Sequence, residues 1–64
     1  MEDYQQRILD EKTELDTKLC SLKSFLYTDP FKELRILDQS LLLQQEVAMS
    51  EYSSILAERI CIFQ

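Results

Sequence analysis

The stretch Asp38-Gln-Ser-Leu-Leu-Leu-Gln-Gln-Glu-Val-Ala-Met-Ser-Glu-Tyr-Ser-Ser-Ile-Leu-Ala-Glu-Arg-Ile-Cys-Ile-Phe63 decides how this chain folds. Its apolar residues fall on two parallel heptad rows, Leu42, Met49, Leu56, Phe63 and Leu41, Ala48, Ile55, Ile62. A polar row, Gln45, Tyr52, Arg59, runs between them. Residues three, four and seven apart stack over one another on a helix, so the three rows share one face. That face is broad and apolar with a polar spine. A narrow seam accommodates one partner helix, whereas a broad one predicts more than one.

Working outward, the segment Tyr27-Thr28-Asp29-Pro30 interrupts the helical pattern, because the residue before proline is pushed out of the α region. Asp29 is the expected N-cap and Pro30 the first residue of a short helical turn over 30–34, which carries Phe31 and Leu34 inward. A second kink is expected over 35–37, after which a long helix capped by Asp38 spans 37–62. Upstream, Ile8, Leu15, Leu19, Leu22 and Leu26 keep the same spacing and predict a helix over 2–27. Leu9, Cys20 and Phe25 widen that stripe, while Lys12 stands where the pattern calls for an apolar residue. A short linker makes two long helices antiparallel neighbours. Tyr4, Arg7, Ile8, Glu11 and Lys12 are then expected near Leu56, Arg59, Ile60 and Phe63. The expected fold is all-α, one domain over 1–64: an antiparallel helical hairpin with a short connecting helical turn, assembling into a homo-oligomeric helical bundle.

Composition agrees with this. A chain of 64 residues hides only roughly 60% of its unfolded surface and needs a staple. Two cysteines without a histidine make a poor structural zinc site, and no metal or other cofactor is expected. Cys20 and Cys61 do not suit a disulfide, since Cys20 should lie opposite the mid-forties; both are expected as small buried or half-buried residues. No glycine and a single proline argue against β-hairpins. Oligomerisation is left as the source of further stability. The formal net charge of −5 argues against coating DNA or RNA. Without a basic amphipathic face or a long apolar run, no membrane partner is expected. The acidic, polar start does not read as a signal peptide, and a cytoplasmic setting with reduced thiols is expected.

Two constellations admit more than one reading. In the Gln45, Tyr52, Arg59 spine, the tyrosine can pack its ring, the glutamine bond across a two-fold axis, and Arg59 pair with Glu11. Alternatively the spine lines a cleft between subunits, with Tyr52 stacked on a base and Arg59 holding a phosphate bidentately. Arg7 and Lys12 lie close to the expected level of Arg59. They are either solvated charge beside acidic neighbours or a cationic cluster that neutralises the phosphates of a small nucleotide. An inward lysine destabilises a seam unless it specifies register or meets an anion. Lys32 and Arg35 near Pro30 read as solvated charge, since Asp29 takes the capping position. No catalytic residues are expected: the chain has no histidine, and its paired acids Glu11 and Glu14 sit at the spacing of a polar helix face.

One resemblance covers nearly the whole chain. The ordered set Tyr4-Gln-Gln-Arg7-Ile8, Glu11-Lys12, Glu14-Leu15, Lys18-Leu19, Leu22, Phe25-Leu26, then Phe31, Leu34, Gln39, Leu42, Gln45, Met49, Tyr52, Leu56 and Arg59-Ile60 resembles a family of short helical accessory proteins of tailed phages and prophages, including the crAss-like phages. The chain departs from it at Cys20 and in the triple leucine 41–43. Such proteins are similar to phage anti-defence sponges, which bind nucleotide signals of bacterial immunity and keep them from their effectors. The resemblance implies a counter-defence protein of the host cytoplasm that is not an enzyme. It would sequester a cyclic oligonucleotide or an ADP-ribose-derived signal between its own subunits. Arg7, Lys12 and Arg59 would meet phosphates, and Tyr4 and Tyr52 the base or ribose. The alternative is a helical interaction module that inhibits a host defence protein or serves as a phage structural adaptor.

Overall fold

A computed structural model describes residues 2–63, and every regular element in it is helical. Helix α1 spans Asp3–Phe25, a single turn α2 spans Asp29–Lys32, and α3 spans Ile36–Phe63. At the start of α1 the Glu2 backbone N–H donates to Gln5 Oε1 at 3.0 Å, which satisfies one of the orphan donors of a helix end.

One side chain manages the first break. The Thr28 hydroxyl donates to the Phe25 carbonyl at 2.6 Å and accepts from the Phe31 N–H at 3.4 Å. It thereby closes α1 and opens α2. This corrects the expectation for Asp29, which is the first helical residue and not the cap. A hydroxyl can donate and accept at once, whereas a carboxylate only accepts. Pro30 then sits within the first turn, where a missing N–H costs nothing.

The second break falls at 33–35. The Gln39 amide reaches back to the carbonyls of Lys32 and Leu34 at 3.1 and 2.8 Å and satisfies the end of α2. Helix α3 begins one turn earlier than Asp38 would cap it, because the Gln39 N–H already donates to the Arg35 carbonyl at 3.0 Å. Asp38 lies inside the first turn and pairs with Arg35 at 3.1 Å. An acid there favours the positive end of the helix dipole.

The long helices pack antiparallel along a seam with alternating spacing of three and four. On α1 and its C-cap it comprises Gln5, Ile8, Lys12, Leu15, Leu19, Leu22 and Leu26, all buried or half-buried. On α3 it comprises Leu42, Glu46, Met49, Ser53, Leu56, Ile60 and Phe63, likewise. Leu56 is fully buried among Ile8, Leu15, Met49, Ile60 and Phe63. At the closed end Phe31 is buried, with its ring edge-on to Phe25 at 6.0 Å. The hairpin measures 46 × 14 × 14 Å. Both cysteines are free and exposed, against the expectation that they pack inward. Each follows a seam residue by one position, Leu19 and Ile60, and one step turns a helix by about 100°.

Candidate functional site

The geometry of one broad side follows from the register. Tyr4 meets Phe63 edge-on at 6.4 Å, Lys12 reaches Ser53 at 3.1 Å, and Lys23 pairs with Glu46 at 3.8 Å. By that register Arg7 lies level with Arg59 to within one helical turn. Now take the row one residue before each seam. On α1 it is Tyr4, Arg7, Glu11, Glu14, Lys18, Ser21 and Phe25; on α3 it is Leu41, Gln45, Ala48, Tyr52, Ile55, Arg59 and Ile62. Because the helices run antiparallel, stepping back one residue turns both toward the same broad side of the hairpin. The rows one residue after the seam share the other side, where Tyr27 and Leu43 border a common groove.

The first side therefore gathers four of the five candidate residues, Tyr4, Arg7, Tyr52 and Arg59. Here α3 leaves Leu41, Ile55 and Ile62 exposed, Ile55 by 54%, and on the other side it leaves Leu43 and Val47 exposed as well. Tyr52 is 41% exposed, with its neighbours at three and four residues on the same row. Among the described residues, four of the seven Lys and Arg side chains have a carboxylate within 4.0 Å: Lys12, Lys23, Lys32 and Arg35. The other three, Arg7, Lys18 and Arg59, all belong to this one side. Arg59 is exposed and, among the described residues, does not pair with Glu11 as one reading of the spine expected.

Lys12 stands apart from the other four. It lies in the seam with its side chain 26% exposed and donates to Asp16 Oδ2 at 2.7 Å and to Ser53 Oγ at 3.1 Å. Ser53 in turn donates to Asp16 Oδ1 at 2.5 Å. These two hydrogen bonds, from Lys12 and then from Ser53, hold the Asp16 carboxyl below its ordinary range. The three side chains form a closed polar layer across an otherwise apolar seam. Asp16 and Ser53 carry no chemical label in the sequence. The usable signal was positional: Ser53 is the seam residue of α3 opposite the turn that follows Lys12.

The concavities of the hairpin lie elsewhere. One runs along α1 past Thr13, Thr17, Cys20 and Ser24, and another crosses the seam at Lys23 and Glu46. Both are open surfaces. Among the described residues no group of acids and cysteines could hold a metal ion, and no helix is long and apolar enough to cross a membrane.

Fold and site together define a small all-α hairpin that leaves apolar residues of α3 exposed and gathers Arg7, Lys18 and Arg59 on one broad side, with Glu11 and Glu14 among them. The Sequestin family model matches residues 2–62, and the chain belongs to that family. It is 34% identical over 61 residues to an uncharacterized 7.5 kDa protein from the denB-rIIB intergenic region of Enterobacteria phage T4, with 95% of each chain covered. No solved structure matches.

Proposed function

We infer that this protein binds and sequesters a small nucleotide immune signal, as a phage counter-defence protein acting in the host cytoplasm without catalysis. The observation that carries this reading is the placement of charge. On a chain of net charge −5, the cations without an intrachain ion pair among the described residues gather on one broad side, beside the exposed Leu41, Tyr52, Ile55 and Ile62. Surface cations on an acidic protein ordinarily sit beside acids, as Lys23, Lys32 and Arg35 do. Arg7 and Arg59 at one level favour a ligand with two or more phosphate oxygens, which guanidinium groups grip bidentately. Tyr52 and Tyr4 offer ring faces for a base or ribose.

The family supports the same reading, since its name speaks of sequestration and a matched relative is a phage protein of nearly the same length. A sequestering protein needs stoichiometry and an enclosing pocket, not reacting groups. A hairpin with an open side cannot enclose a ligand alone, so the reading includes a homo-oligomer whose copies supply the missing walls. The candidate ligand contacts are Arg7 and Arg59 for phosphate and Tyr4 and Tyr52 for the nucleoside. Lys12 contributes from the seam, by exchanging its bond to Ser53 for the ligand.

Isothermal titration of the purified protein with a panel of cyclic oligonucleotides and ADP-ribose derivatives tests this. Saturable heat with one class is expected, abolished in Arg59→Ala while the oligomer persists by light scattering. Absence of heat across the panel with the wild-type chain refutes it.

A further inference from the structure

Sliding is a freedom that the apolar seam leaves open. Its residues on α1, from Gln5 to Leu26, alternate in spacing of three and four, and those on α3, from Leu42 to Phe63, do the same. Moving α3 by one turn along α1 therefore sets seam residues opposite seam residues again. Most of them are leucine, isoleucine, methionine or phenylalanine, so apolar contact discriminates poorly between the two positions. The connection over 26–35 does not discriminate either. It holds two helix breaks and a single helical turn, and a chain of that length spans far more than the shift of about 5 Å that one turn requires.

What discriminates is polar. Among the described residues, side-chain hydrogen bonds and ion pairs between α1 and α3 fall at two levels: Lys12 and Asp16 with Ser53, and Lys23 with Glu46. The two levels differ in reach. Lys23 and Glu46 are both long, their contact is loose at 3.8 Å, and either can follow the other through a turn. Asp16 and Ser53 are both short. The Ser53 hydroxyl donates to Asp16 Oδ1 at 2.5 Å while it accepts from Lys12 Nζ at 3.1 Å. Lys12 and Asp16 lie four apart on one helix and stay paired at 2.7 Å wherever α3 stands. Ser53 alone makes both hydrogen bonds that cross the seam at this level.

We propose that Ser53 is a positioning residue: its hydroxyl, seated between Lys12 and Asp16, fixes where α3 stops along α1 and so sets the level of Arg59 against Arg7. After a slip of one turn Ser53 faces Ile8 or Leu15, the residues on either side of Lys12 in the seam, and Lys12 faces Met49 or Leu56. The hydroxyl then lies against aliphatic groups, and a polar group shut off from water without a partner is costly. A lone polar residue in an apolar helical seam specifies register in this way, giving up some stability for one arrangement.

The consequence reaches the open side through the helix itself. Ser53 lies in the seam and not in the row of Arg59, so it acts on the arginine by way of the axis of α3. A slip of one turn changes the spacing of Arg59 and Arg7 along the hairpin by about 5 Å. Two guanidinium groups that grip one small anion together do not tolerate that displacement. This half of the inference rests on the nucleotide reading above and adds to it the residue that aligns its phosphate contacts.

The test is a distance, read by double electron–electron resonance between spin labels at Asp10→Cys and Gln44→Cys. The labelled chain also carries Cys20→Ser and Cys61→Ser and is diluted into unlabelled protein. Both label sites are exposed and off the seam. The register offsets them along the hairpin by about 20 Å, so a slip changes their separation nearly in full. With Ser53 in place one narrow distance is expected. Ser53→Ala should keep the helical circular dichroism, since alanine suits both helix and seam, and add a second distance shifted by about 5 Å. Ser53→Thr returns a hydroxyl and should restore the single distance, and Glu46→Gln should leave it single. A single unshifted distance in Ser53→Ala overturns the proposal. An unfolded Ser53→Ala chain also overturns it, because Ser53 would then serve stability and not position. A distance split by Glu46→Gln alone transfers the role to the Lys23 pair and overturns it too.

Titration with inorganic diphosphate reads the second half. Ser53→Ala should bind it about tenfold more weakly than wild type, and Ser53→Thr should bind it as wild type does. Removing the hydroxyl frees Lys12 and by itself strengthens any Lys12 contact, so weakening reports the displacement. A split distance with undiminished diphosphate affinity refutes the link to Arg7 and Arg59. The two readings fail separately: a wild-type chain that takes up neither diphosphate nor any nucleotide sinks the sequestering role, while the distances still decide the part played by Ser53.

Discussion

Leu56 and Ile55 are adjacent in sequence but face the hairpin core and the open side respectively, so truncating each to alanine should give opposite signatures. Leu56 is 0% exposed and touches both helices' core residues. Its truncation removes three heavy atoms from a site already closed around it, and such changes cost about 3 kcal/mol once the residual cavity is counted. A domain of this size has about 3–10 kcal/mol in all, so Leu56→Ala should lower the urea midpoint steeply at every protein concentration. Ile55 is 54% exposed in the hairpin. In the homo-oligomer inferred above, only about half of its burial is available to a second copy, worth about 1 kcal/mol per chain and about 2 kcal/mol per pair of chains. Ile55→Ala should therefore weaken self-association about 30-fold while hardly changing the midpoint at concentrations where the chain is already dissociated. The assay is urea unfolding followed by far-ultraviolet circular dichroism at concentrations spanning two to three decades, with sedimentation velocity in parallel. If Leu56→Ala costs less than about 1 kcal/mol, or if the two variants shift the midpoint alike at all concentrations, the division of α3 into two seams is wrong.

Further outcomes follow from the polar contacts. Hydrogen bonds from Lys12 and Ser53 lower the folded-state pKa of Asp16 below its ordinary value of 3.8, so folding favours the ionised form. Its stabilising contribution is complete above that value and lost as pH falls through the lowered one; the stability gap between wild type and Asp16→Asn should narrow on acidification below about pH 4, and a gap constant across that range would exclude the linkage. Thr28→Ala should cost about 1 kcal/mol, whereas Asp29→Ala should cost less, read by thermal unfolding; the reverse order would return the cap to Asp29. Lys12→Met should keep the hairpin folded, because an apolar residue suits the seam and Ser53 still bonds Asp16. If it also keeps full ligand affinity, Lys12 serves the hairpin alone.

How far the sequence could be read depended on what each residue had to match. The apolar spacing of Ile8, Leu15, Leu19 and Leu56 specified two long antiparallel helices because burial leaves few other solutions for it. Capping was less legible, since Thr28 and Asp29 are both good caps and only the hydroxyl's ability to satisfy Phe25 and Phe31 together separates them. Within the broad face of α3, heptad rows alone could not say which stripe meets α1. That choice is made by pairwise fit: Leu56 between Ile8 and Leu15, and Ser53 opposite the turn after Lys12.

Lys12 is the most instructive residue, because its position marked it as functional while its local partners make it sufficient to itself. A half-buried ammonium needs two or three acceptors, and Asp16 and Ser53 supply them within 3.1 Å. Arg7 and Arg59 were candidate phosphate contacts from the sequence too, and with Lys18 they are the cations that have no carboxylate within 4.0 Å among the described residues. The distinction between them is a property of neighbours and not of residue type. A cation inside a seam must be paired for the hairpin to be stable, so it can meet a ligand only by giving up one of those bonds. A cation on an open side carries no such obligation to the hairpin. On that ground the arginines, rather than the half-buried lysine, are where substitution should separate binding from folding.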